Sequence, residues 1–339
     1  MKIKMLLVLL ATMLAIIAFG EVTPGLEASQ VIKLNYASFL PPSHVWFYDI
    51  CKPWAKEIEK QTGGRVKITL YPGGTLVGAR ETYSGVVEGI ADIATGVFDY
   101  TPGRFPLMAA FDLPLGFNSS KVGTRILNEA YEKFKPKELS DTKVLYLHVC
   151  SPKHVWSKVP IRNLKDLKGL EIRTSVPNIW KALGAVPVAA PQGRVYEMLA
   201  KGIVKGNSVS LDCLKGFKQA EVVDYITLTN LYLTNFFVVM NLKKWNALPS
   251  DIQKIFNEVS KKWVTVAGGA WDGCAYESLG WAIMEHKLKV IHLSSEELAT
   301  WHKRVNPLIG EYIKKMEAKG LPGREWVDEI LRLKKKYTK

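Results

Sequence analysis

Lys168-Gly169-Leu170-Glu171-Ile172-Arg173 is the stretch on which the fold turns. It is a short apolar segment closed by one arginine, and Gly184-Ala185-Val186-Pro187-Val188 and then Val195 to Gly206 follow it. The pattern predicts a strand, then a helix, then a second strand returning to the same edge. Strands linked by helices in this way build a mainly parallel sheet, and such sheets bind ligands at the carboxyl ends of their strands. An arginine at that edge suits a carboxylate, because its planar fork donates two parallel charge-assisted hydrogen bonds. A carboxylate of the protein itself would satisfy it equally well. The residues alone therefore leave a ligand anchor and a structural ion pair both open.

Working outward, the amino-terminal third carries the same alternation. Val31 to Ala37 reads as a strand, and Ser43 is an N-cap candidate for a helix reaching about Gln61. Pro53 inside that pattern predicts a kink or a restart. Val66 to Tyr71 and Ala91 to Val97 read as strands, with a helix over Thr82 to Glu88 between them. Val144 to Val149, Ile203 to Val209 and Phe236 to Met240 read as further strands. From Pro249 an apolar face (Ile252, Ile255, Phe256, Val259, Trp263, Val266) runs on to about Lys287 despite several glycines. Such a helix would be roughly 55 Å long, more than one small domain needs, so it should bridge two.

The chain has 339 residues, enough for two ordinary domains, and a formal net charge of +14. Its basic residues are spread among acids, apart from Lys334-Lys335-Lys336, which predicts a solvated basic surface and no nucleic-acid partner. Lys2 and Lys4 precede an uncharged apolar run from Met5 to Phe19, which reads as a secretory signal peptide over residues 1–28, cleaved after Gly20 or Ala28. No later stretch is apolar enough to span a membrane. The expectation is an exported, periplasmic, soluble protein and a monomer. Export permits disulfides, but Cys51, Cys150, Cys213 and Cys274 show no framework spacing. Buried free thiols are favoured, with a Cys150–Cys213 bridge left open. The six histidines have no metal-ligand spacing, no Ser-His-Asp or Cys-His set is visible, and the glycine pairs lack a phosphate-loop lysine. Neither an enzyme nor a cofactor is expected.

Several segments, taken in order, resemble a known family. Thr62-Gly63-Gly64-Arg65-Val66, Tyr71-Pro72-Gly73-Gly74-Thr75-Leu76-Val77-Gly78, Gly89-Ile90-Ala91-Asp92-Ile93, Phe111 to Phe117, Leu167 to Arg173 and Lys244 to Pro249 are similar to motifs of the solute-binding proteins of TRAP transporters, the tripartite ATP-independent periplasmic systems. The likeness runs from about Val31 past Trp263. It implies a periplasmic-binding-protein fold: two α/β lobes, two mainly parallel sheets, a long helix spanning both lobes, and a cleft that closes on a solute destined for a membrane permease. Lobe 1 is placed at residues 29–148, completed by about 236–260. Lobe 2 is placed at 149–235, completed by part of 261–339, with the long helix at 249–287.

The resemblance also implies that Arg173 pairs with the solute's carboxylate. Lys153 falls where the family often has a second arginine. Val209 stands where the family usually has an asparagine, and Leu231 where it has a histidine. These replacements argue against a sugar acid or a C4-dicarboxylate, since each extra polar group of a ligand needs a partner in a dehydrated cleft. Trp46, Phe98, Tyr100, Trp156, Tyr196 and His44 lie near the expected cleft edge, together with Phe47 and Trp180. Asp99 is left between orienting a ligand amine and capping a turn. The expected ligand is an apolar or aromatic monocarboxylate, with Arg173 a nearly solitary polar anchor. A C4-dicarboxylate, a 2-oxo acid, or a sensing role at a membrane receptor are the alternatives.

Overall fold

The computed structural model describes residues 31–338, and the leader expected over residues 1–28 lies outside them. The chain lays down β1 (Ile32–Ser38), β2 (Val66–Tyr71), β3 (Ile93–Val97) and β4 (Thr142–Val149) in one lobe. It then crosses to a second lobe for β5 (Lys153–Ser157), β6 (Glu171–Arg173), β7 (Val186–Val188), β8 (Gly206–Ser210) and β9 (Tyr225–Leu228). It returns for β10 (Asn235–Asn241) and crosses once more for β11 (Lys289–His292). The first sheet has the order β2-β1-β3-β10-β4 and the second β11-β9-β5-β8-β6-β7.

Both sheets are mainly parallel, as expected, but each is mixed, because one strand in each runs against the others. β10 runs antiparallel to β3 and β4, and β5 antiparallel to β8 and β9. The reason is the crossings. Each βαβ strand ends at the cleft, whereas β5 and β10 begin there, directly after the chain has passed between lobes. They must therefore run away from it.

The sequence accounts for the helices between the strands. A π-helical turn at Trp46–Cys51 leads into α1 (Lys52–Gln61), which restarts with Pro53 in its first turn, where a missing N–H costs nothing. Ser43 does not cap it; its hydroxyl instead donates to Gly216 O at 3.0 Å in the other lobe. α2 (Thr82–Val87) and α3 (Ser120–Phe134) cover the first sheet. α4 (Ser250–His286) is a single helix of 37 residues. Its Ile252, Phe256, Val259, Trp263 and Trp271 enter the core of the first lobe, while Ala275 and Ala282 enter that of the second. Gly268 in α4 lets two helices touch, because a Cβ there would lie 2.7 Å from Lys121 Cα. One turn later Asp272 caps α3, accepting from Ser120 N at 2.6 Å and Lys121 N at 3.1 Å. Of the last helices, α5 (Ser295–Val305) packs on the second lobe through Trp301 and Val305. α6 (Pro307–Glu317) and α7 (Gly323–Tyr337) return to the first through Tyr312, Trp326 and Ile330.

Candidate ligand site

The strand ends converge where the lobes meet. Arg173, the last residue of β6, is 2% exposed, and Lys153, the first of β5, is 6% exposed. Both line one small cavity of about 30 Å³, together with Val97, Val209, Ser210 and Thr234. Its aromatic wall runs through Tyr100, Phe39, Phe236 and Trp271, with Phe39 at 5.3 Å from Tyr100 and Phe236 at 5.4 Å from Trp271, centroid to centroid.

Four hydrogen bonds hold the Arg173 guanidinium, all to neutral acceptors. Nε and Nη2 donate to Ala190 O at 2.8 and 2.5 Å, and Nη1 donates to Gln192 Oε1 at 2.7 Å and Asn207 Oδ1 at 3.4 Å. Five N–H groups are available, so one on Nη2 is still free. Asn207 is oriented in turn: its Nδ2 donates to Gln219 Oε1 at 2.8 Å, which also accepts from Trp156 Nε1 at 3.0 Å. The Lys153 ammonium makes no hydrogen bond or ion pair with the described residues, and neither cation has a carboxylate within salt-bridge distance among them.

The lobes are closed over this cavity. His44, after β1, accepts at Nδ1 from Trp46 N (3.1 Å), which leaves the proton on Nε2 to be donated to Asp212 Oδ2 at 2.8 Å in the other lobe. Burial pushes the Asp212 carboxyl up, but the His44 bond and charge, the Ser210 hydroxyl and the Lys153 charge together outweigh it and hold the group below its ordinary range. Gln192 N donates to Tyr100 OH at 2.9 Å, a third bridge between lobes beside those of Ser43 and His44. His44, Asp212 and Cys213 bring donor atoms within 4.8 Å of one another. With the proton on Nε2 and the Lys153 charge close to Asp212, that trio forms a hydrogen-bonded latch.

A second cavity of about 670 Å³ adjoins the first, and Asp99, Tyr100 and Ser175 line both. Phe98, Phe105, Leu113, Ile179 and Pro191 make its walls, and α6 covers it with Tyr312 and Met316. Tyr312 OH donates to Pro106 O and Leu107 O at 3.0 and 3.1 Å, while Glu138 accepts from the N–H groups of Leu107 and Met108 at 3.0 and 2.9 Å. These bonds order the loop that forms one wall. The volume falls within the usual 300–1,000 Å³ or so of small-molecule sites, whereas the inner cavity has room for about one water molecule or a carboxylate.

Of the residues singled out from sequence, Arg173, Lys153, Val209, Tyr100 and His44 meet at the inner cavity, and Phe98 lines the outer one. Six do not line either, among them Phe47, packed against the first-lobe core, and Trp180, buried in the second lobe. Trp46 is buried edge-on against Tyr36 beneath the cleft. Trp156 lies in the second-lobe core and acts on the site only through Gln219. Leu231 is buried with Val155 and Trp180 in another cluster. Tyr196 faces solvent and donates to Glu221 at 2.9 Å, because the helix carrying it turns Val195 and Leu199 inward instead. The picture of a solitary anchor also needs correction: Asn207, Gln192, Asp99 and Asp212 add polar groups. Asn207 was legible in principle, since residues two apart on a strand share a face and it sits two before Val209. Nothing in the local pattern marks Phe39, Phe217, Phe236 or Trp271, which come from four separate segments. The four cysteines are all buried and unpaired, Cys150 and Cys213 included.

Two α/β lobes shut over buried cations define a two-lobed solute-binding protein. The chain belongs to the bacterial extracellular solute-binding proteins of family 7, whose model matches residues 36–315. It is similar to a TRAP periplasmic solute-binding protein from Desulfovibrio salexigens in an open complex, with 38% identity, a TM-score of 0.80 and coverage of 91% of this chain and 97% of that one. A marine-metagenome TRAP solute-binding protein specific for aromatic acids, in complex with 3-hydroxybenzoate, superposes with a TM-score of 0.87 at 28% identity, over 92% and 100% of the two chains. A third, from Rhodoferax ferrireducens with copurified benzoate, gives 0.85 at 25% identity over 89% and 97%. Proteins of this family bind small organic acids and work with a membrane permease. No helix among the described residues is long and apolar enough to cross a membrane.

Proposed function

We propose that this protein captures an apolar or aromatic monocarboxylate outside the cytoplasm and hands it to a TRAP permease. One observation carries the reading: Arg173 and Lys153 are both buried and line one cavity walled by aromatic rings, without a salt-bridged carboxylate among the described residues. A buried charge lacking a partner is costly, and an incoming carboxylate removes that cost for both cations at once. The inner cavity takes the carboxylate and the larger one takes the apolar body. The benzoate and 3-hydroxybenzoate bound by similar proteins support an aromatic carboxylate as the ligand class.

Micromolar affinity corresponds to about −8 kcal/mol, and truncating one member of a buried charged pair costs about 2–5 kcal/mol. Arg173→Ala should therefore weaken binding roughly 30-fold or more. Calorimetry over a panel of benzoates, phenylpropanoates, branched aliphatic acids, succinate and pyruvate tests it. Arg173→Ala with unchanged affinity would remove the anchor, and binding confined to succinate or pyruvate would move the reading to small polar acids.

A further inference from the structure

The outer cavity holds a feature that an apolar monocarboxylate leaves unexplained. Three carboxylate oxygens in its lining, Asp99 Oδ1, Asp99 Oδ2 and Asp112 Oδ1, are shielded from solvent and make no well-formed hydrogen bond among the described residues, with only the Ser175 hydroxyl near Asp99. Native proteins rarely leave such atoms unpaired, and each one calls for an explanation. Asp112 is 8% exposed, and it sits at the end of the helical turn Met108–Asp112 that forms the cavity wall. Asp99 follows β3 and lines both cavities, so it stands between the apolar chamber and the two cations.

We propose that the bound solute is bipartite: a carboxylate held at Arg173 and Lys153, an apolar or aromatic body, and a protonated amine received by Asp99 and Asp112. This rests on the carboxylate-binding reading and narrows its substrate class to an amino-bearing acid. The geometry favours a donor at this place, because the deficit is entirely one of acceptors. The charges agree. Burial raises both carboxyl groups, and the charge of Asp99 lifts Asp112 further, while the Ser175 hydroxyl, Lys153 and Arg173 oppose the rise at Asp99 and Lys153 opposes it at Asp112. Burial disfavours the charged form of both groups, and a buried carboxyl without partners is costly in either form. A cationic amine lets both ionise and be satisfied together. A hydroxyl satisfies one oxygen and leaves the charge repulsion in place. The order of affinity should therefore be amine, then hydroxyl, then hydrogen.

The experiment is calorimetry on the full mature chain with matched acids of two lengths, benzoates and 3-phenylpropanoates, each unsubstituted, ring-hydroxylated and ring-aminomethylated. In at least one length the aminomethyl acid should bind tenfold or more tightly than the unsubstituted acid. Asp99→Asn and Asp112→Asn should each shrink that ratio below about threefold while the unsubstituted acid still binds, which also shows that the variants are folded. A ratio near one in the native protein overturns the inference, and so does a ratio that survives both substitutions. Unsubstituted acids that bind in an Arg173-dependent way without any gain from the amine leave the carboxylate reading standing and sink this one alone. Failure of every acid to bind sinks the carboxylate reading itself.

Discussion

Gly216 offers a perturbation that touches closure and nothing else. It ends the short helix Cys213–Gly216 on the second lobe, and a Cβ there would lie 2.6 Å from Cδ2 of His44 on the first. Its backbone is not in the left-handed region, so alanine fits the local conformation and even favours the helix. The strain of Gly216→Ala therefore exists only when the lobes are shut. His44 cannot swing aside cheaply, because Asp212 at 2.8 Å and Trp46 N at 3.1 Å hold both ring nitrogens. Moving the lobes apart would instead stretch those bonds and the 3.0 Å contact from Ser43 to Gly216 O. Overpacking of this kind costs about 1–3 kcal/mol. Because a ligand is held only by the closed form, the cost passes into affinity as a loss of about 5- to 150-fold. Calorimetry gives that loss, stopped-flow should assign it mainly to faster dissociation, and the melting temperature of the ligand-free protein should be unchanged or slightly raised. Wild-type affinity and dissociation rate in Gly216→Ala would refute the claim that this closed contact accompanies binding. A large drop in ligand-free stability would refute the claim that the strain is confined to closure.

Three further outcomes follow from buried histidines, a helix cap and the buried thiols. Burial holds His148 and His154 down to about 3, with Lys153 adding to the effect at His154. Both stay neutral when folded but protonate near 6.5 when unfolded, so their contribution is intact above that pH and declines as pH falls towards 3. Each should cost about 1.4 kcal/mol per pH unit in that window, and chemical denaturation at pH 7.5 and 5.5 should show a drop that flattens in a His148→Asn, His154→Asn double variant. An equal slope in that variant would contradict the assignment. Asp272→Ala removes the cap of α3 and frees Ser119 Oγ as well, which Asp272 accepts at 2.7 Å. Urea unfolding should register a loss of about 1–3 kcal/mol with ligand affinity unchanged, and a loss below a few tenths would mean that water replaces the cap. The four cysteines are buried and burial raises each thiol, so an aromatic disulfide reagent should label none in the native state within the time it labels all four in denaturant. Rapid labelling of even one would show that the closed core opens readily.

What could be read from the chain beforehand follows from the range of the interactions involved. β2 was legible to the residue, because Val66, Ile68 and Leu70 alternate with polar neighbours over a glycine-bounded run. The 37-residue helix was legible because a 3.6-residue period persists through its glycines. Arg173 was legible as an edge residue from its place at a strand end. β5 was not read as a strand, since Lys-His-Val-Trp-Ser has no clean alternation; all five residues are buried, with both faces covered. Trp156 and Trp46 were placed in the cleft because they adjoin it in sequence, but a side chain's face is decided by parity and by what packs beneath it. The aromatic wall was invisible for another reason: Phe39, Phe236 and Trp271 are brought together only by the second crossing of the chain and by α4.

Strand parity also explains why two cations, not one, meet at this edge. β8 lies between β5 and β6, pairing Arg173 with Asn207 and Lys153 with Ser210. Positions 207 and 210 differ by an odd number, so the two pairs fall on opposite faces of the sheet. The contacts agree. Arg173 shares its face with Asn207 and Trp156, linked through Gln219, while Ser208 and Thr174 on the other face both contact Tyr232 OH, at 2.9 and 3.3 Å. Arg173 and Lys153 can therefore come together only beyond the end of the sheet, where β5 begins and β6 stops. The reversed direction of β5 is what brings its first residue to that edge. Had β5 run parallel to its neighbours, its cleft-side end would be Ser157 and the second cation would be lost. The mixed sheet is thus a condition for the site: the crossing between lobes that breaks the parallel pattern also delivers a lysine to the arginine.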